Sequence, residues 1–352
     1  MSLINEFLRS MNLRKGSDLH VIAGDPPRMR VHGDLITLDN QRLDPEELRA
    51  ELFEIMSDQA REQFQRHDSA DFAHAIPELA RFRVNVFRHL NGIGAVFRGI
   101  PSKALTLDEL KMPRALHDMA TATRGLILVT GKTGSGKSTT LAAVIDAING
   151  RLKGHILTIE DPIEFVHQRK LCLMSQREIG IHSASFADAL HSALREDPDA
   201  ILVGELRDLE TMSIAMTAAE MGVLVMGTLH TNGAAATIDR VVNIFPSDKQ
   251  DHVRNMLSTS LRGIVSQQLL KRKDGTGRAV ALEILINTSA AANLIRQGKL
   301  EQLENVMQSS GASGMCTMDG SVKKLYEDGT ISGEEAYMQA FDKSKFEQYK
   351  DA

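Results

Sequence analysis

The sequence predicts an α/β protein: a small α+β domain, then a parallel-sheet domain built around a P-loop, then a set of C-terminal helices. Three observations predict this. From Gly125 onward, short apolar runs alternate with helical stretches, the pattern of a parallel sheet covered on both faces. The first of those runs leads into a glycine-rich loop that opens a helix. Before residue 100 the texture differs, with strand-like stretches in which apolar and polar residues alternate, as half-buried strands do. At 352 residues the chain exceeds what one hydrophobic core usually covers. The expected division is a domain over residues 1–100, a linker over 101–113 carrying Pro101 and Pro113, a domain over 114–287, and a helical subdomain over 288–352.

In order along the chain, residues 1–15 read as an amphipathic helix with Leu3, Phe7, Leu8 and Met11 near helical spacing. Strands are expected at 20–23 and 29–36, separated by the turn Gly24-Asp25-Pro26-Pro27. Asp44-Pro45 opens a helix with Leu48, Leu52, Ile55 and Met56 on one face, Pro being favoured in a first turn. Two further strands cover 81–88 and 95–100. In the first, Phe82, Val84, Val86 and Phe87 mark the core side, which puts the arginines on the opposite face. In the next domain, strands are expected at 126–130, 155–159, 200–203 and 223–228. Helices are expected at 137–148, 186–194, 209–221 and 234–242. The C-terminal helices fall at 290–297, 301–307, 321–326 and 334–340.

Composition excludes some classes. With 42% hydrophobic and 25% charged residues, global disorder is not expected. A net charge of -5, from 41 basic and 46 acidic side chains, supplies no general field for nucleic acid, and 4% aromatic residues without Trp leave little for base stacking. No nucleic-acid partner is expected. Cys172 and Cys316, far apart in sequence, read as reduced thiols. The N-terminus has no basic start followed by an apolar core, and no run approaches the ~20 apolar residues of a membrane span. The chain is therefore expected in the cytoplasm.

The chemistry concentrates at four strand ends. Gly131-Lys132-Thr133-Gly134-Ser135-Gly136-Lys137-Ser138 follows a strand and opens a helix, the context a phosphate loop requires. Its glycines let backbone N–H groups face phosphates, aided by the helix N-terminus. Gly131, Thr133, Gly134, Ser135, Gly136, Lys137, Ser138 and Thr139 are the candidate ATP-binding residues. Lys137, read as a solvent-facing loop residue, neutralises phosphate charge, and Ser138 offers Mg²⁺ a hydroxyl. The run 201–203 ends in Gly204-Glu205, with Gly where an Asp is usual; its strand is expected beside that of the P-loop. Glu205 then serves the Mg²⁺ shell or the attacking water. Glu160-Asp161-Pro162 ends another strand, and Glu160 is a candidate for activating water, the bland alternative being a solvated acid beside a turn. His230 ends the fourth strand and is a candidate γ-phosphate contact; a lone His is otherwise a structural residue. No histidine spacing indicates a metal cage. Arg81, Arg83 and Arg98 form a charged stripe on the N-terminal domain. Such a stripe is usually a solvated face, yet guanidinium groups from another domain or subunit stabilise phosphoryl-transfer charge.

On these residues the chain resembles, over essentially its full length, the PilT family of type IV pilus retraction ATPases in the secretion ATPase superfamily. The matching stretches are Gly16-Ser17-Asp18-Leu19-His20, residues 81–84, the phosphate loop, residues 159–164, residues 203–208, residues 228–232 and Leu294-Ile295-Arg296-Gln297-Gly298-Lys299-Leu300. The resemblance implies a PAS-like N-terminal domain, a RecA-like motor domain and a homo-hexamer with ATP between domains. It also implies Glu160 as catalytic base, Glu205 in the Walker B role, and the N-terminal arginines as fingers. The implied partners are an inner-membrane pilus platform protein and a second retraction ATPase. Assembly ATPases of the superfamily carry a four-cysteine zinc loop, which two cysteines cannot supply. The alternative reading is a PilU-like accessory, or a slowly hydrolysing nucleotide-dependent scaffold at the pilus base.

Overall fold

The computed structural model describes residues 2–31, 34–77, 79–100 and 104–350. The chain forms two compact units. One comprises Met1–Lys103 with Glu164–Val166; the other comprises Ala104–Ile163 with His167–Ala352. The first three residues of the expected linker, 101–103, lie outside the described residues.

The first unit contains α1 (Leu3–Leu13), β1 (Asp18–Ile22), β2 (Arg28–Val31), β3 (Asp34–Thr37), α2 (Pro45–Ile55), α3 (Asp58–His67), β4 (Ser69–Ile76), β5 (Ala80–His89) and β6 (Gly92–Ile100). Its sheet is antiparallel with strand order β3-β2-β1-β6-β5-β4. The stretch 29–36, read as one strand, is two: β2 and β3 pair with each other, Val31 opposite Asp34, around residues 32–33, which lie outside the described set. β4 was not anticipated, because Ala70, Ala73 and Ala75 give weak alternation. The α2 signal holds in detail, with the Asp44 carboxylate accepting from the N–H groups of Glu46 and Glu47 and Pro45 in the first turn. Phe82, Val84 and Val86 of β5 enter the core beside Phe97. Phe87 falls on the other face, since it breaks the two-residue period.

The second unit contains α4 (Arg114–Met119), β7 (Gly125–Thr130), α5 (Lys137–Asn149), β8 (His155–Glu160), β9 (Leu173–Glu178), α6 (Phe186–Ala193), β10 (Ala200–Val203), α7 (Leu209–Glu220), β11 (Leu224–Leu229), α8 (Ala234–Asn243), α9 (Gln250–Ser260), β12 (Leu261–Lys271), β13 (Arg278–Ile286), α10 (Ser289–Gln297), α11 (Leu303–Ser309), α12 (Met318–Glu327) and α13 (Gly333–Gln339). The sheet order is β13-β12-β7-β11-β10-β8-β9, parallel except for β13, which runs antiparallel to β12. β7, β10 and β11 are buried along their whole length, as expected of strands covered on both faces.

Two separate apolar clusters cover those faces. Leu126, Leu128, Ile201, Val203 and Val225 pack toward α6 through α11. Their alternate neighbours Ile127, Val129, Leu202 and Met226 pack toward α4 and α5. A smaller cluster joins Leu270, Ala279 and Ala281 to Met318, Val322 and Ala336 of α12 and α13. The α/β class, the α+β first domain, the parallel second sheet and the C-terminal helices are thus as the sequence indicates; the antiparallel order of the first sheet is an addition from the structure.

Candidate nucleotide site

β7 delivers the phosphate loop at its C-terminal end, and α5 begins at Lys137. Gly131, Gly134 and Gly136 have φ of 137°, 79° and 90°, conformations that an L side chain resists. A Cβ on Gly131 would run into the backbone carbonyl of Gln267 and the hydroxyl of Ser135. That buried hydroxyl has no hydrogen-bond partner among the described residues. A cradle closed to side chains and holding an unanswered polar group fits a polyanionic ligand.

Lys137 corrects the expectation of a solvent-facing loop residue. It is 9% exposed, and its Nζ donates to the carbonyls of Gly131 at 2.9 Å and Lys132 at 3.2 Å, folding the side chain back over the loop. Thr133 is exposed, whereas Ser138 and Thr139 are half-buried in the first turn of α5.

β11 directly neighbours β7, and β10 lies one strand further, so the expectation that the Glu205 strand adjoins the P-loop strand is wrong. The strands next to β7 are β12 on one side and β11 on the other, and His230 follows directly on β11. The ends of β8, β10 and β11 are stitched together. Gly204 N–H donates to the Ile159 carbonyl at 2.7 Å, Thr228 Oγ1 donates to the Gly204 carbonyl at 2.5 Å, and Leu206 N–H donates to the Thr228 carbonyl at 3.0 Å. A Cβ on Gly204 would lie 3.2 Å from the Ile159 carbonyl oxygen and 3.3 Å from Glu160 Cα. This close approach explains glycine where an aspartate was expected.

Glu205 and His230 are brought together, with His230 Nε2 3.2 Å from Glu205 Oε1. Arg207 completes the group. Its Nε and Nη2 reach the two Glu205 oxygens, each at 2.6 Å. Burial opposes ionisation of Glu205, but the hydrogen bond from Arg207 and the charges of His230 and Arg207 outweigh it and hold the carboxyl below its usual range. Arg207 is raised in turn, first by its hydrogen bond to Glu205.

Glu160 is 8% exposed at the end of β8, accepting from Thr158 Oγ1 at 2.7 Å and Gln176 Nε2 at 3.3 Å. It is not the solvated acid of the bland reading. In register beside it on β9 is a second buried acid, Glu178, which accepts from the Ile163 N–H. Arg207, Gln176 and Glu178 were not singled out from the sequence. Arg207 had a signal, two residues past Glu205 in the same run; Gln176 and Glu178 had none, because β9 itself was missed.

Arg81, Arg83 and Arg98 lie on the first unit. Arg83 and Arg98 are register partners on β5 and β6, and Arg81 stands two residues before Arg83 on the same strand face. Arg98 Nε donates to Asp18 at 2.8 Å and Arg83 Nε is 4.0 Å from Asp71.

A family profile for type II/IV secretion system proteins matches residues 1–327. The chain belongs to that family. Within it, this secretion-system protein is 51% identical to the type IV pilus retraction ATPase PilT of Pseudomonas aeruginosa, over 95% of this chain and 96% of the relative. It is 50% identical to a twitching motility protein of Neisseria gonorrhoeae, over 96% and 90% of the two chains. Against the type IV pilus ATPase PilU of Pseudomonas aeruginosa the identity is 42%, over 95% and 88%. The crystal structure of the pilus retraction motor PilT with bound ADP superposes with a TM-score of 0.92 at 43% identity, covering 99% of each chain. The Legionella pneumophila ATPase DotB superposes at 0.83 with 29% identity, over 95% and 94%. The family member thus falls with the retraction ATPases, as the motifs indicate. Among the described residues no helix is long and apolar enough to cross a membrane.

Proposed function

We propose that this chain is a motor ATPase that hydrolyses ATP to power retraction of a type IV pilus, working as a ring of six subunits. The observation that carries this reading is the pairing of a phosphate cradle on β7 and α5 with ionisable groups at the ends of β8, β10 and β11 in one sheet. Strand C-termini of a parallel sheet are where such folds meet their ligands. Higher identity to PilT than to PilU favours the primary motor over the accessory role.

ATP is the substrate. Its phosphates face the N–H groups around Gly134, Ser135, Gly136 and Lys137, with Lys137 and Ser135 as side-chain donors. Thr133 and Thr139 flank the cradle. Ser138 makes no side-chain hydrogen bond among the described residues, which suits a hydroxyl reserved for Mg²⁺. Mg²⁺ commonly takes one or two protein oxygens and leans on phosphates and water for the rest, so Ser138 with Glu205 is an adequate donor set. When bound, the metal supplies charge neutralisation at the phosphates. Glu160 is the proposed base: its carboxylate is held in place by Thr158 and Gln176, and it takes a proton from water. His230, bridged to Glu205, reads the phosphate end of the site. The arginines Arg81, Arg83 and Arg98 are proposed to act on a nucleotide across a domain or subunit boundary.

The proposed location is the cytoplasmic face of the inner membrane. The partners there are the pilus platform protein and a second, PilU-like retraction ATPase. Deleting the gene in its native cell tests the reading. The expected result is cells that keep their pili and lose twitching, with purified protein that turns over ATP. Bald cells would make it an assembly motor, and absent turnover would leave a scaffold.

A further inference from the structure

β12 continues past the end of β7. The last paired residues are Ser266 and Thr130, and the next residue on β12, Gln267, therefore runs alongside the phosphate loop rather than alongside a strand. Gln267 is 1% exposed. Its Nε2 donates to the Ser135 carbonyl at 2.5 Å, and its Oε1 accepts from Thr140 Oγ1 at 2.9 Å. The Ser135 carbonyl, which can only accept, fixes which end of the amide faces the loop. The Thr140 hydroxyl donates to the amide oxygen at the other end and holds the side chain in place.

This contact has a directional consequence. In a trans peptide the C=O and the following N–H point opposite ways. Anchoring the Ser135 carbonyl on Gln267 therefore turns the Gly136 N–H away from β12, toward the concave side of the loop. The glycines make room for the arrangement: a Cβ on Gly136 would lie 3.0 Å from Gln267 Nε2, and one on Gly131 would strike the Gln267 carbonyl. We propose that Gln267, set by Thr140, is a positioning residue that holds the Ser135–Gly136 peptide of the phosphate loop in its phosphate-binding orientation. The proposal rests on the reading of this loop as the nucleotide site. Neither residue touches the ligand in this account. Their effect is to remove the reorganisation that a loop with a free peptide would undergo on binding.

The test is the dissociation constant of a fluorescent ADP analogue, measured by titration on the full-length chain and needing neither hydrolysis nor pili. In Gln267→Glu the shape is kept, but a carboxylate oxygen faces the Ser135 carbonyl. The expected result is roughly tenfold weaker ADP binding, a cost on the scale of one lost buried hydrogen bond. Thr140→Val keeps Gln267 and its bond to the Ser135 carbonyl but removes the hydroxyl that holds the other end of the amide. It should weaken ADP binding in the same direction by a smaller factor. In the double variant the losses should fall short of additive, because the two residues act as one unit. Thermal unfolding of each variant gives the readout that separates positioning from folding: the binding loss should not track the melting temperature across the three variants. Unchanged ADP affinity in Gln267→Glu, or strictly additive effects, would overturn the proposal while leaving the ATPase reading intact. A wild-type chain that binds no ADP would remove both. Should Gln267→Glu fail to fold, the Thr140→Val titration decides alone.

Discussion

The charged groups of the two units are arranged on opposite principles. In the first unit, arginines stand across a sheet face, where Arg83 and Arg98 are direct cross-strand partners. Like charges in that position repel, and each is answered by a carboxylate, Asp71 or Asp18, drawn from a neighbouring strand. In the second unit, the charged groups of the candidate site are gathered at strand ends and at the start of α5, where Glu160, Glu205 and Lys137 are buried or nearly so and each is held by named donors or acceptors. Of the first unit's pairs, Arg83–Asp71 is exposed on both sides and costs little to rearrange, since its Coulomb energy is modest and shared with water, whereas Asp18 is buried beneath an exposed Arg98. Buried groups with fixed partners are already oriented. The first unit is thus suited to lend charge, and the second to hold it fixed around a ligand.

The sharpest way to break that contrast is Lys137→Ala. Because Nζ also holds the carbonyls of Gly131 and Lys132, the substitution removes phosphate charge neutralisation and two contacts that fold the loop. Turnover should fall by roughly 10³-fold, the upper range for loss of one preorganised donor. Melting should also drop by about 2–4 °C per kcal/mol of lost stability. ATPase assay and calorimetry read the two effects, and wild-type turnover in a folded variant would contradict the nucleotide site itself.

Glu160→Gln comes next. Gln keeps an oxygen for the Thr158 hydroxyl, so the fold should survive and nucleotide should still bind. Turnover should fall by about 10²-fold, as for loss of a positioned base. If the rate is unaffected, the proton acceptor lies elsewhere, with Glu205 the next candidate. Of smaller expected size are Arg81→Ala, Arg83→Ala and Arg98→Ala, at least one of which should lower turnover by roughly tenfold or more. Mixing that variant with Lys137→Ala chains should restore part of the activity, because some pairings join an intact loop to an intact arginine. Full activity in all three would reduce the stripe to a solvated face.

How much of this was legible in the sequence follows the same division. The phosphate loop was readable to the residue because its glycines, lysine and serine are dictated by local backbone geometry. The strands of the parallel sheet were readable because burial on both faces makes them continuous apolar runs. The order of those strands was not: β11 lies between β7 and β10, and nothing local to either run says so. β12 and β13 escaped notice because polar residues interrupt them, among them Ser266, Gln267 and Glu283, whose partners are loops and helix ends distant in sequence. The burial of Lys137 was likewise invisible, since it depends on how the loop folds back over the side chain. The arginines of the first unit were visible as a stripe, but their carboxylate partners come from other strands and become apparent only with the register.

The mildest effect concerns the Glu205–Arg207 pair, which joins the two principles: a mostly buried carboxylate held by a largely exposed guanidinium. The folded carboxyl lies below its usual value of 4.5, so the stabilisation from its partners is present above that value and is lost as pH falls through the lower, folded one. Arg207→Gln removes the hydrogen bond that does most to hold the carboxyl down, while burial, which pushes it up, remains. The variant should therefore melt slightly below wild type at neutral pH. An exposed pair contributes about 0.2–1 kcal/mol, so the gap should be one or two degrees, roughly. As pH falls through the folded value the carboxyl becomes protonated and the gap should close. Melting curves from about pH 3 to pH 7 measure it. A gap of constant size down to the acid end would mean that Arg207 stabilises the strand ends through packing of its side chain, and that the Glu205 carboxylate is held by His230 and its surroundings without it.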